Sequence, residues 1–163
     1  MRRSLFFTRN PLVLLALTVV VASCAVPPEA PKVEAGPPAC TAAQPGDGLV
    51  GNWLAVRKQK GVAGELRTLF TLNADGTMAY AEQLKRPNRA PQGLSETGCW
   101  YRDGQSLVLR TYESNGLPVE FDDPIYINRY NIVDSSSKQL RLVTPDGATI
   151  TAGQMSPGYR LPF

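Results

Sequence analysis

There is no histidine among the 163 residues of this chain. That absence removes the commonest general base, the commonest metal ligand and the usual charge switch near neutral pH. No long amphipathic helix is legible; 14 glycines and 14 prolines point instead to many turns. No apolar run reaches the roughly 20 residues a helix needs to cross a bilayer. The longest, Pro11 to Ala22, falls short of it. Surplus charge is also missing. Of 17 basic residues, Arg2, Arg3 and Arg9 precede any acid, which leaves 14 basic against 14 acidic residues from Cys24 onward. A neutral balance gives nucleic acid no electrostatic footing as a partner.

What is present begins with Val21-Ala22-Ser23-Cys24, at the end of the apolar run. An aliphatic residue, two small residues and a cysteine in that place resemble the lipobox of secreted bacterial lipoproteins. The resemblance implies that residues 1–23 are a signal peptide. It implies that Cys24 receives diacylglycerol and, after cleavage, an acyl chain such as palmitate on its new amino terminus. An uncleaved anchor or an ordinary secretory signal is the alternative that these four positions disfavour. Ala25, rather than aspartate, after the cysteine implies the outer membrane, with the protein facing the periplasm or the surface. With Cys24 given to lipid, Cys40 and Cys99 remain, and an oxidising envelope compartment favours their pairing as a disulfide. A reactive or metal-binding thiol pair is the competing reading, but there is no histidine to complete such a site.

Residues 24–48 carry six prolines and many alanines, a composition that favours extended backbone over a packed core. The part before Cys40 would hold a domain roughly 45 Å from the membrane at about 3.1 Å per residue. From 49 to 163 the pattern changes to short strands punctuated by turns. Expected strands run over Leu49–Lys58, Glu65–Asn73, Thr77–Leu84, Thr97–Arg102, Ser106–Tyr112, Leu117–Phe121, Ile125–Val133, Gln139–Thr144 and Ala148–Gln154. Lys85–Glu96 reads as a polar loop, and a change of apolar parity near Tyr130 suggests a bulge. Asn73-Ala74-Asp75-Gly76 and Pro145-Asp146-Gly147 read as tight turns. The expectation is an all-β fold, a small antiparallel up-and-down barrel of about eight strands, with a two-sheet sandwich as competitor.

Gly51-Asn52-Trp53, the stretch from Phe70 to Thr77 and Gly98-Cys99-Trp100-Tyr101 together resemble bacterial lipocalin-like domains of the calycin type. In that group the tryptophan of G-x-W closes the barrel floor. The resemblance implies a binding module for a small apolar or envelope-derived ligand, which Trp53, Phe70, Tyr80, Trp100, Tyr126 and Tyr130 would line. Aromatics at strand spacing are also ordinary core. A second resemblance is to secreted inhibitors of bacterial metalloproteases and related envelope lipoproteins. These too are small barrels with G-x-W, one disulfide and an extended N-terminal segment that enters the protease cleft. It implies a protein-interaction lipoprotein, either a protease inhibitor or an envelope assembly factor.

Candidate chemistry is sparse. Ser135-Ser136-Ser137-Lys138 contains S-x-x-K, but it lies between two strands and reads as a turn rather than an acylating motif. Glu120, Asp122 and Asp123 fit no calcium-loop spacing and read as a solvated acidic turn. Arg57, Lys58, Lys60, Lys85, Arg86 and Arg89 would gather at one barrel mouth, where they could meet an anionic headgroup, peptidoglycan or an acidic partner, or serve as solubilising charge. No catalytic set, metal or cofactor is expected. The reading is a lipid-anchored, non-enzymatic binding module of the bacterial envelope.

Overall fold

The computed structural model describes residues 36–58 and 61–162. The signal segment 1–23, Cys24, the linker up to residue 35 and Lys60 lie outside them. Nine strands follow in order: β1 (Gly51–Arg57), β2 (Glu65–Leu72), β3 (Thr77–Lys85), β4 (Gln92–Asp103), β5 (Ser106–Ser114), β6 (Leu117–Pro118), β7 (Ile127–Ser135), β8 (Gln139–Val143) and β9 (Thr149–Met155). A 3-10 turn, Pro124–Tyr126, precedes β7.

Every pairing is antiparallel between neighbours, β9 pairs back onto β1, and the two-residue β6 merely extends the edge of β5. The result is a closed eight-stranded up-and-down barrel, so the sandwich alternative falls. Closure leaves no long unpaired edge. Register fixes its two ends. Gly51 opposite Leu72 marks the floor, and Arg57 opposite Leu66, with Leu66 opposite Leu84, marks the mouth.

Alternation decides which side chains enter the barrel. On β1 these are Trp53 and Ala55, on β2 Phe70 and Leu72, on β5 Leu107 and Leu109, and on β8 Leu140 and Leu142; all join one buried core. Leu49, ahead of β1, drops in from below and is fully buried there. The Asn73–Gly76 turn forms as expected. Gly76 takes φ +84, and Asp75 Oδ1 accepts the Thr77 amide at 2.9 Å. A Cβ at Gly76 would collide with the Thr41 carbonyl, so glycine is needed there both for the turn and for the close passage of the N-terminal segment.

Several boundaries differ from expectation. β4 begins five residues early, at Gln92, because the polar stretch Gln92–Glu96 pairs in full with β3. Hydrophobic pattern misses a strand in which only one of the inward residues, Leu94 between Gln92 and Glu96, is apolar. The expected strand over Leu117–Phe121 shortens to two residues, and Phe121 instead packs edge-on against Tyr112 at 5.9 Å. The parity change lies at Val133 rather than near Tyr130, where β7 and β8 shift register between Ile132 and Asp134. A second bulge falls opposite Thr97/Gly98, and there a Cβ on Gly98 would strike the Arg110 carbonyl.

Candidate functional site

Three regions of the barrel carry unusual side chains: the floor, the mouth and the outer wall beneath the C-terminal tail.

The floor is built by the N-terminal segment. Cys40 and Cys99 form the disulfide, which ties residue 40 to the outer side of β4. The Ala43 amide then donates to the Ala74 carbonyl at 2.9 Å. Asp47 meets Arg102 in a two-pronged ion pair at 2.8 and 3.0 Å and also accepts the Leu49 amide. The Arg102 guanidinium holds the Asp47 carboxyl below its ordinary range. The Trp53 indole donates to the Leu49 carbonyl at 2.8 Å, and the Trp100 indole to the Asn73 carbonyl at 2.8 Å. Both tryptophans thus close the floor with their one polar atom satisfied. The Cys40–Cys99 bond and the Ala43–Ala74 hydrogen bond thus fasten the latter part of the Pro/Ala-rich segment to the barrel.

Inside the barrel the expected aromatic residues separate. Trp53, Phe70, Trp100 and Tyr130 are buried in the single core cluster, with Tyr80 half-buried against it. Phe70 stands edge-on to Tyr80 at 5.3 Å and to Tyr130 at 5.6 Å. Tyr126 is elsewhere, in the 3-10 turn outside the core. Above the aromatics, towards the mouth, sits a polar network that the hydrophobic pattern gave no sign of. Glu82 accepts from the Tyr80 hydroxyl at 2.9 Å and from the Thr68 hydroxyl at 3.4 Å, and lies 4.0 Å from Arg57. Glu96, the cross-strand partner of Tyr80, accepts from the Thr111 hydroxyl at 3.3 Å.

Burial raises the Glu96 carboxyl above its ordinary range; the Thr111 hydrogen bond opposes that and the nearby Glu82 charge adds to it. Burial likewise drives Tyr80 strongly upward, and burial with the Glu82 and Glu96 charges pushes Tyr130 up to about 12. Both phenols therefore remain neutral donors at physiological pH. Two inward carboxylates, Glu82 and Glu96, therefore share the mouth end of the barrel, a pair that sequence reading did not find. Their signal would have been Glu82 and Glu96 placed at inward parity on adjacent strands, visible only once β4 is extended back to Gln92.

The outer wall is covered on one side by the tail. Asn52 Nδ2 donates to the Ser156 carbonyl at 2.9 Å, the Gln83 amide donates to the Pro162 carbonyl, and Leu161 is buried. The tail therefore crosses the outer faces of β1, β2 and β3. Beside it opens a cleft of about 1260 Å³, floored by outward residues of β2 to β4 including Leu69, Ala79, Ala81 and Ser95. A second, smaller cleft of about 650 Å³ lies between Pro37–Cys40 and Tyr112, Val119 and Phe121. Both are on the outside of the barrel.

The remaining sequence candidates fall into place as local structure. Ser136 Oγ accepts the amides of Lys138 and Gln139 at 3.4 and 3.2 Å, so the S-x-x-K run is a turn. Asp123 Oδ1 accepts the Ile125 amide at 3.0 Å, which caps the 3-10 turn, while Asp122 and Glu120 are exposed. Among the described residues no group of three or more Cys, Asp or Glu is placed to hold a metal. Arg57, Lys58, Lys85, Arg86 and Arg89 are on strands and loops at the mouth end, but Arg57 turns inward to Glu82. No protein-family profile and no curated protein matches the chain.

Proposed function

We propose that this protein is a lipid-anchored binding module of the bacterial cell envelope, held by Cys24 in the outer membrane, that engages another envelope protein through the outer wall of its barrel and catalyses no reaction. One observation carries this reading: the aromatic side chains that would have lined a ligand chamber fill the interior as core, while the open clefts are on the outer face. A lipocalin-like cup for a small apolar ligand needs free volume among Trp53, Phe70, Trp100 and Tyr130, and their packing counts against it. Kinship with lipocalin-like barrels remains part of the proposal, supported by Gly51-Asn52-Trp53 with Trp53 at the floor.

The N-terminal segment favours the interaction reading as well. Stapled at Cys40 and led over the floor, it presents Pro37 and Pro38 on the outer surface beside the smaller cleft. Protease inhibition and envelope assembly are the two forms such an interaction would take.

The test places a photo-crosslinking amino acid at Ser95, in the larger cleft, and at Thr151, exposed on the outward face of β9, in cells making the full chain. Protein adducts from Ser95 and none from Thr151 are expected. A barrel that gives no adduct at Ser95, and co-purifies with a small apolar molecule, would overturn the reading. Membrane attachment is tested separately: Cys24→Ser should release the protein from the membrane fraction, and full retention of that variant would remove the lipid anchor from the proposal.

A further inference from the structure

Four loops join the strands at the mouth end, and charge is divided between them. Residues 58–64 and 86–91 contain Lys58, Arg86 and Arg89, with Lys85 at the end of β3, and hold no acid. Residues 115–126 and 144–148 contain Glu120, Asp122, Asp123 and Asp146 and hold no cation. The two basic loops are neighbours on the rim, since a Cβ on Gly64 would strike the Lys85 carbonyl and crowd Arg86. Lys58, Lys85 and Arg89 are exposed, while Arg86 is half-buried and donates to the Gln92 side chain. None of the four is in an ion pair among the described residues. Glu65, the cross-strand partner of Lys85, is held instead by Arg67 at 2.8 Å. Val62, an apolar side chain 37% exposed, stands in the first of these loops. Pro87 and Pro91 restrict the second, so its cations are presented by a chain with little freedom to lose.

The N-terminal segment shows which end of the barrel the tether reaches. Pro37 and Pro38 lie beside Tyr112, Val119 and Phe121, near the mouth end of β5 and in the loop after it. From there the chain descends through the Cys40–Cys99 bond and the Ala43–Ala74 hydrogen bond to Leu49 at the floor. It therefore enters from the mouth side. Cys24 is 12 residues before Gly36, a reach of about 40 Å even when fully extended. A lipid on Cys24 thus tethers the barrel by its mouth end.

We propose that the basic half of the mouth, Lys58, Lys85, Arg86 and Arg89 around Val62, docks on the anionic phospholipid surface of the bilayer that holds the anchor. The inference rests on the lipid-anchor reading above and adds a direct contact between barrel and membrane. Four cations without ion pairs, on one edge of a chain whose charges otherwise balance, match a layer of phosphate groups. Val62 adds an apolar contact at the headgroup boundary. The acidic half of the rim is repelled by the same surface, which sets the tilt of the barrel.

The lipidated full chain, reconstituted in vesicles of phosphatidylcholine alone or mixed with phosphatidylglycerol, tests it. A photo-crosslinking amino acid is placed at Val62 and, as control, at Tyr101, exposed on the floor half of β4. Lipid adducts are expected from Val62 in the mixed vesicles, few in the neutral ones, and none from Tyr101 in either. Lys85→Ala/Arg89→Ala should lower the docking constant about fivefold for each charge removed, and raised salt should lower it too. Asp122→Asn, on the acidic half, should not lower it. No adduct from Val62, equal adducts in both kinds of vesicle, or adducts undiminished by the double substitution overturn the proposal. So does crosslinking of Val62 to protein instead of lipid in intact cells, which makes the basic rim a contact for an acidic partner. Should mass spectrometry find no lipid on Cys24, the anchor reading fails by itself. Sedimentation of that unlipidated chain with the mixed vesicles alone would then still support the basic rim as a phospholipid contact, and failure to sediment would overturn it.

Discussion

Breaking the Cys40–Cys99 bond offers the sharpest test of how the N-terminal segment and the barrel are joined. The two cysteines are 59 residues apart, and the loop they close contains β1, β2, β3 and most of β4. In the chain-entropy account a loop of that length removes enough freedom from the unfolded chain to stabilise the fold by roughly 4 kcal/mol. The compact unit spans Ala35–Phe163, and at about 2.1 cal/mol/K per residue its unfolding entropy is near 0.27 kcal/mol/K. The expected fall in melting temperature is therefore about 15 °C. Thermal unfolding followed by circular dichroism, for the oxidised protein and for Cys40→Ala/Cys99→Ala, measures it directly. Either single substitution should cost nearly as much as the double one, because one broken end opens the loop. A loss under about 1 kcal/mol would refute the reasoning, since it would mean that the unfolded chain gains little freedom when the link is cut.

Further outcomes concern the interior and the bulge. Glu96 binds its proton more tightly in the folded barrel than in the unfolded chain, so stability should fall as pH rises from the ordinary carboxylate range through its raised value. Glu96→Gln should flatten that slope and raise the urea midpoint at pH 7; an unchanged midpoint would contradict the burial of a charge there. Tyr80→Phe removes the donor to Glu82 and should cost about 1.5 kcal/mol in denaturant unfolding, the low end for a charged acceptor because Glu82 is partly exposed. Trp53→Ala empties the floor and should cost about 3–5 kcal/mol. Gly98→Ala drives a methyl into the Arg110 carbonyl and should cost about 2 kcal/mol or more; a neutral result would show that the bulge yields easily.

How far the fold was legible depended on which face of each strand carried the signal. Where inward residues are apolar and outward ones polar, as in Gln139–Leu142 of β8, alternation located the strand within a residue or two. Asp75-Gly76 and Asp146-Gly147 marked their hairpins for a reason that needs no tertiary context, since both glycines adopt positive φ. The failures share one cause. Gln92–Glu96 is a strand because β3 offers it a full ladder, and nothing local to its polar side chains says so. Pro118 and the acid-rich turn after it cut short a segment whose apolar residues looked strand-like, and Phe121 found Tyr112 instead of a ladder partner.

The same cause hid the polar network at the mouth. Closing eight strands turns every second residue inward, including those near the mouth that cannot all be apolar. Thr68, Tyr80, Glu82, Glu96 and Thr111 satisfy one another there, across β2, β3, β4 and β5. Apart from Tyr80, each is unremarked in sequence, because it is neither a motif nor part of a charge run. The aromatic residues occupy the interior for the complementary reason. At strand spacing, a barrel of this size needs large side chains simply to fill its interior, so Trp53, Phe70, Trp100 and Tyr130 became the core. The interior is occupied, the floor is sealed by Leu49 and two indole hydrogen bonds, and the open clefts lie on the outer wall. The floor of the larger cleft there is made largely of small side chains, Ala79, Ala81, Ser95 and Thr97, and small residues leave no trace in a search for chemistry.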